Sequence, residues 1–145
     1  MKDHDYYIKE ALKEAYKADK IEEIPVGAVV VDKEGKIIGR GYNKKELKHS
    51  VISHAEIEAI TKANKKINNW RLIDCSLYVT LEPCNMCKKV ILESKITKVY
   101  YLLDNNSDTN IKCEFNKIES RNVLNEYSLL FDNSFKKMRK IFPGK

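Results

Sequence analysis

Two short stretches of the chain carry residues able to do chemistry, His54-Ala55-Glu56 and Pro83-Cys84-Asn85-Met86-Cys87. A pair of soft thiolates with one imidazole makes a zinc-ligand set of three, His54, Cys84 and Cys87. Structural zinc sites usually close with four protein ligands, whereas catalytic sites keep one position for water. No further Cys or His stands at ligand spacing beside either stretch, so the set reads as an open one. Zinc in such a site lowers the pKa of its water to about 7 and makes a nucleophile available at neutral pH. Glu56, close behind His54, is placed to carry protons without binding the metal. Taken singly, Cys-x-x-Cys also serves structural zinc clips and redox pairs, and a lone histidine often just packs. It is the combination that points to catalysis.

The elements that must position these residues follow from periodicity and turn chemistry. Ile8, Ala11, Leu12 and Ala15 recur at helical spacing, which predicts a first helix over about 4–18. PVGAVVVD reads as a buried strand. Asp32-Lys33-Glu34-Gly35 supplies a turn before KIIGRGY, so these two runs form a β-hairpin. After the polar stretch Asn43 to Ser53, a helix is expected from His54, with Ala55, Ile57, Ala59, Ile60 and Ala63 on its apolar side. SLYVTL is the next strand, and Pro83 suits the first turn of a helix CNMCKKVILES because its missing N–H is an orphan there. KVYYLL is a further strand, DNNSDTN a loop, and 120–141 a last helix. Helices alternating with strands in this order predict an α/β sandwich with helices packed on a mixed sheet.

Composition bounds the rest. A chain of 145 residues, 43% hydrophobic and 33% charged, fits one globular domain over 1–145 and excludes the disordered class. The start of the chain lacks the apolar core of a signal peptide, and no run is long enough to span a bilayer, so the cytoplasm is the expected compartment, with no membrane partner. Four cysteines in that setting are thiols or metal ligands rather than a disulfide framework. A formal charge of +6 favours a polyanionic partner such as nucleic acid. With only Arg40, Arg71, Arg121 and Arg139 beside many lysines, a solvated surface of biased composition accounts for the charge equally well.

His-x-Glu followed by Pro-Cys-x-x-Cys is the signature of zinc nucleobase deaminases. Over most of its length the chain resembles the bacterial tRNA-specific adenosine deaminase family of the cytidine deaminase-like superfamily. The resemblance runs through Ile24 to Val31, Gly41-Tyr42-Asn43, SHAEIEAI, Arg71 to Cys87 and Ser94 to Tyr101. It implies a three-layer α/β/α sandwich with a central mixed sheet, and one zinc ion per subunit on His54, Cys84 and Cys87. It further implies Glu56 as the proton shuttle, Asn43 as a hydrogen-bond partner of the target base, and Val26, Gly27 and Ala28 as the pocket lining. Asn offers both a donor and an acceptor to a purine edge, and Gly27 would let a base approach the backbone. From the residues alone, Asn43 also reads as a turn former after a strand, and Gly27 as a packing glycine. The implied partners are a tRNA anticodon stem-loop and a second subunit in a homodimer whose active site lies near the interface.

The chain departs from the family after Leu103. Asp104-Asn105-Asn106-Ser107-Asp108-Thr109-Asn110 stands where relatives carry a glycine-containing loop, and Asn105 falls on their loop aspartate. The C-terminal run Phe135-Lys136-Lys137-Met138-Arg139-Lys140 resembles the family's basic final helix, placed near the substrate, and reads equally as a solvated face. The expected reaction is hydrolysis of adenosine to inosine at the wobble position, where an unstacked loop base is cheap to extrude. A deaminase of free guanine or cytosine, or of a nucleoside, shares the same constellation. A non-catalytic nucleic-acid-binding subunit that keeps zinc for folding is a further reading, against which Glu56 argues.

Overall fold

A computed structural model of the chain describes residues 2–105 and 114–141, with side chains left undescribed at 114 and 138–141. Helix α1 (His4–Lys20) is capped by Asp3, whose carboxylate accepts the Tyr6 amide at 2.9 Å. Tyr7, Ile8, Ala11, Leu12 and Ala15 form its buried stripe. Strands β1 (Gly27–Val31) and β2 (Ile37–Tyr42) make the expected hairpin. In its turn Asp32 accepts the amides of Glu34 and Lys36, and Gly35 takes a φ of 87°, open to a residue without a Cβ. Then follow α2 (Ala55–Ile67), β3 (Ser76–Leu81), α3 (Asn85–Glu93), β4 (Lys98–Leu103), β5 (Glu114–Lys117) and α4 (Arg121–Ile141).

The sheet order is β2-β1-β3-β4-β5. β1 runs antiparallel to β2 and β3, while β3, β4 and β5 are parallel, so the sheet is mixed as expected. Side chains alternate across the strands and build two cores. Ala28 and Val30 face α2 and α3, joining Ala59, Ala63, Leu77 and Ile91; Val29 and Val31 face α1 and α4, joining Ile8, Tyr78, Leu102 and Tyr127. Helices thus cover both faces, which gives the three layers. The hydroxyl of Tyr127, itself fully buried, donates to the Pro25 carbonyl at 2.8 Å and fastens α4 to the segment entering β1.

Two local expectations need correction. β5 was not foreseen: Glu-Phe-Asn-Lys has no apolar run, and its strand conformation comes from parallel pairing with β4 at the sheet edge. Pro83 stands outside α3 rather than in its first turn, because Cys84 is the N-cap and Asn85 the first helical residue. Of the loop after β4, Asn106 to Asn110 lie outside the described residues.

Candidate active site

Both chemical motifs arrive at helix starts. His54 is the N-cap of α2 and Cys84 the N-cap of α3, each with extended backbone and neither spending its side chain on a cap bond. Cys87 sits in the first turn of α3 and is fully buried. His54 turns its Nδ1 toward both sulfurs, 3.7 Å from Cys84 Sγ and 3.5 Å from Cys87 Sγ, and the donor atoms all lie within 4.8 Å of one another. Tetrahedral zinc, with its usual bonds of ~2.3 Å to sulfur and ~2.1 Å to nitrogen, separates two such ligands by about 3.6 Å. The two nitrogen-to-sulfur distances straddle that value, so the donor set fits the ion in chemistry and in spacing. Among the described residues the cluster has no fourth member. Cys75 is buried elsewhere with its thiol toward the Ile73 carbonyl, and Cys113 lies outside the described residues.

The electrostatics of the cluster are those of a shared proton set. The Cys84 thiol is drawn down to about 3 by the hydrogen bond from Cys87 and by that from His54. Cys87 is pushed up by making that bond and by burial, and the His54 imidazole is raised by its bond to Cys84. One thiolate is therefore favoured already, beside the positive end of a helix. Glu56, 4% exposed, lies within hydrogen-bond reach of the Cys87 thiol, and burial pushes its carboxyl up to about 7.

A cavity of about 690 Å³ opens on these groups, a size typical of small-molecule sites. His54, Glu56 and Cys84 line it, together with Val26 and Asn43. Asn43 spends its Oδ1 on the Ala55 amide at 2.9 Å, tying the end of the hairpin to the first turn of α2. Its Nδ2 has no partner among the described residues, and Asn43 stands at the cavity wall. Gly27 and Ala28 do not line the cavity. A Cβ on Gly27 would lie 2.0 Å from the Ala11 carbonyl oxygen and 2.4 Å from the Ala15 nitrogen, so the glycine serves the close approach of α1 to β1. Ala28 is fully buried in the core beneath α2 and α3.

The resemblance places the final helix of Phe135 near the substrate and singles out Asn105, whereas Glu23, Glu82 and Phe131 carry no such signal. Phe131 and Phe135, successive turns of α4 with ring centres 4.8 Å apart, close one side, and Glu23, Glu82 and Asn105 close others. Glu23, 2% exposed, accepts the amides of Glu46 and Leu47 and so folds the loop before α2 against the cavity. The sequence predicts a last helix over 120–141, but nothing in it says that Phe131 would face the cavity. Beyond Phe135, Lys136 and Lys137 are exposed and Lys137 lies 3.6 Å from Asp19; the side chains of Met138, Arg139 and Lys140 are outside the described residues.

Residues 1–103 match the cytidine and deoxycytidylate deaminase zinc-binding region, and the chain belongs to that family. A tRNA-specific adenosine deaminase of Streptococcus pyogenes serotype M18 is 48% identical over 101 residues, 70% of this chain and 63% of that protein. The chain thus spans somewhat less than two thirds of that relative's length. A solved structure from work on A-to-I editing by tRNA:A34 deaminases at the wobble position of transfer RNA superposes with a TM-score of 0.72. It shares 30% identity and covers 79% of this chain and 98% of its own. Guanine deaminase from Bacillus subtilis superposes with a TM-score of 0.67 at 25% identity, over 90% of this chain and 95% of its own.

Proposed function

We propose that the chain hydrolyses adenosine to inosine and ammonia at the wobble position of a tRNA anticodon. The observation that carries this reading is a buried, non-ligating carboxylate, Glu56, beside a three-ligand donor set at the wall of a cavity. The adenosine and tRNA part rests on the relatives just described. In this reading His54, Cys84 and Cys87 hold zinc, which supplies the Lewis acidity that makes water a nucleophile near neutral pH. Glu56 takes one proton from the attacking water and passes it to N1 of the purine. It then takes a second from the hydroxyl now on C6 and passes it to the departing amine, which leaves as ammonia while the C6 carbonyl re-forms. Asn43 Nδ2 donates to an acceptor of the base, and Val26 packs against its ring. The burial of Glu56 keeps bulk water from exchanging those protons.

A synthetic anticodon stem-loop with A at the wobble position, incubated with zinc-loaded protein, should yield inosine, read by nucleoside chromatography. The Bacillus subtilis guanine deaminase likeness over 90% of the chain favours a second reading, a free purine base as substrate. Ammonia release from guanine with no inosine from the stem-loop would replace the first reading by the second.

A homodimer belongs to the proposal. Leu47, Val51 and Ile52, 61%, 70% and 54% exposed, all belong to the loop that leads from Asn43 to His54, and exposed apolar side chains of this kind suit a second subunit. Sedimentation at micromolar concentration is expected to show twice the chain mass, and a strict monomer would refute it. The proposed compartment is the cytoplasm; among the described residues no helix is long and apolar enough to cross a membrane.

A further inference from the structure

Lys88 follows Cys87 directly, yet it is 2% exposed and no part of the proposed chemistry uses it. Its Nζ lies 3.1 Å from Glu82 Oε2 and 4.9 Å from the ring centre of Phe115 on β5. The other oxygen of the same carboxylate, Glu82 Oε1, accepts the backbone N–H of Asn105 at 3.0 Å. The Glu82 amide in turn donates to the Leu103 carbonyl at 2.8 Å. Glu82 and Asn105 both line the cavity, whereas Lys88 does not. One carboxylate is therefore divided between a buried cation on the helix of the metal-ligand cysteines and the backbone of Asn105 at the cavity rim.

Burying an ammonium is costly, and an apolar side chain of similar size would fill the same space without that cost. What the ion pair adds is orientation. A carboxylate with a cation on one oxygen and an N–H on the other has one rotamer that satisfies both. We propose that Lys88 and Glu82 are positioning residues that hold Asn105 and the cavity rim in register with the helix bearing Cys84 and Cys87. Substrate contacts made at the rim are thereby kept at a fixed offset from the reacting centre. The kinetic part of this inference rests on the deaminase reading; the structural part stands without it.

The test uses Lys88→Met and the double variant Lys88→Met/Glu82→Gln, which leaves no lone buried charge and so keeps the fold if the single variant loses it. Amide-to-water exchange at Asn105, followed by NMR, is expected to quicken about tenfold in either variant, with amides of α1 and β1 unchanged. With the anticodon stem-loop, KM is expected to rise about tenfold while kcat changes less than about threefold, the pattern of lost binding rather than lost chemistry. Wild-type exchange at Asn105 in both variants would overturn the proposal. Equal acceleration throughout the sheet would also overturn it, since the pair would then be a general stabiliser. If the unaltered protein does not turn over the stem-loop, the deaminase reading fails and the exchange arm alone decides the positioning role.

Discussion

Glu56→Gln is expected to lower kcat on the anticodon stem-loop by about 100-fold to 10,000-fold, the range lost with a general acid-base group. The substitution keeps shape and hydrogen-bonding capacity and removes only the ability to exchange a proton. Glu56 is outside the donor cluster of His54, Cys84 and Cys87, so zinc content by atomic absorption should stay at one ion per chain. The variant should also fold, because a neutral amide is no costlier to bury than the 4% exposed carboxyl group it replaces. Turnover within tenfold of the unaltered protein would remove Glu56 from the mechanism. Loss of zinc along with activity would instead place the carboxylate among the ligands.

Gly27→Ala is expected to have the largest effect on stability, a loss of about 3 kcal/mol measured by urea denaturation. The added methyl would meet backbone, the Ala11 carbonyl oxygen at 2.0 Å and the Ala15 nitrogen at 2.4 Å, and backbone cannot rotate aside. The helix must lift from β1, which uncovers Ala11 and Ala15, both now fully buried. This experiment separates the two roles weighed for the residue. A pocket glycine would leave stability alone and impair substrate binding, and that outcome would contradict the packing role. Gly41 faces the same restriction on the other side of the sheet, where its Cβ would lie 2.3 Å from the Ala55 carbonyl oxygen.

The donor cluster was legible in the sequence because its two halves are each local. His54 and Glu56 share one helix start and Cys84 and Cys87 another, so spacing along the chain fixes the geometry within each pair, while the fold brings the two pairs together. The strand and helix order was legible for the same reason, since each element carries its own periodicity. What was not legible depends on contacts across the sheet. Gly27 and Ala28 lie on a strand beside the cavity, but their side-chain positions point into the two packing layers, and a motif match carries no such direction. β5 is too short and polar to announce itself, and its pairing with β4 makes it a strand. The ion pair of Glu82 and Lys88 spans the proline and both cysteines, and nothing in that spacing says that a lysine would be buried.

The family match ends at residue 103, while Asn105, Phe131 and Phe135 complete the cavity from beyond that point. The donor cluster and part of the cavity wall thus lie in consecutive parts of the chain. Substitutions at Phe131 or Phe135 would reshape the cavity while leaving the residues of the donor cluster unchanged.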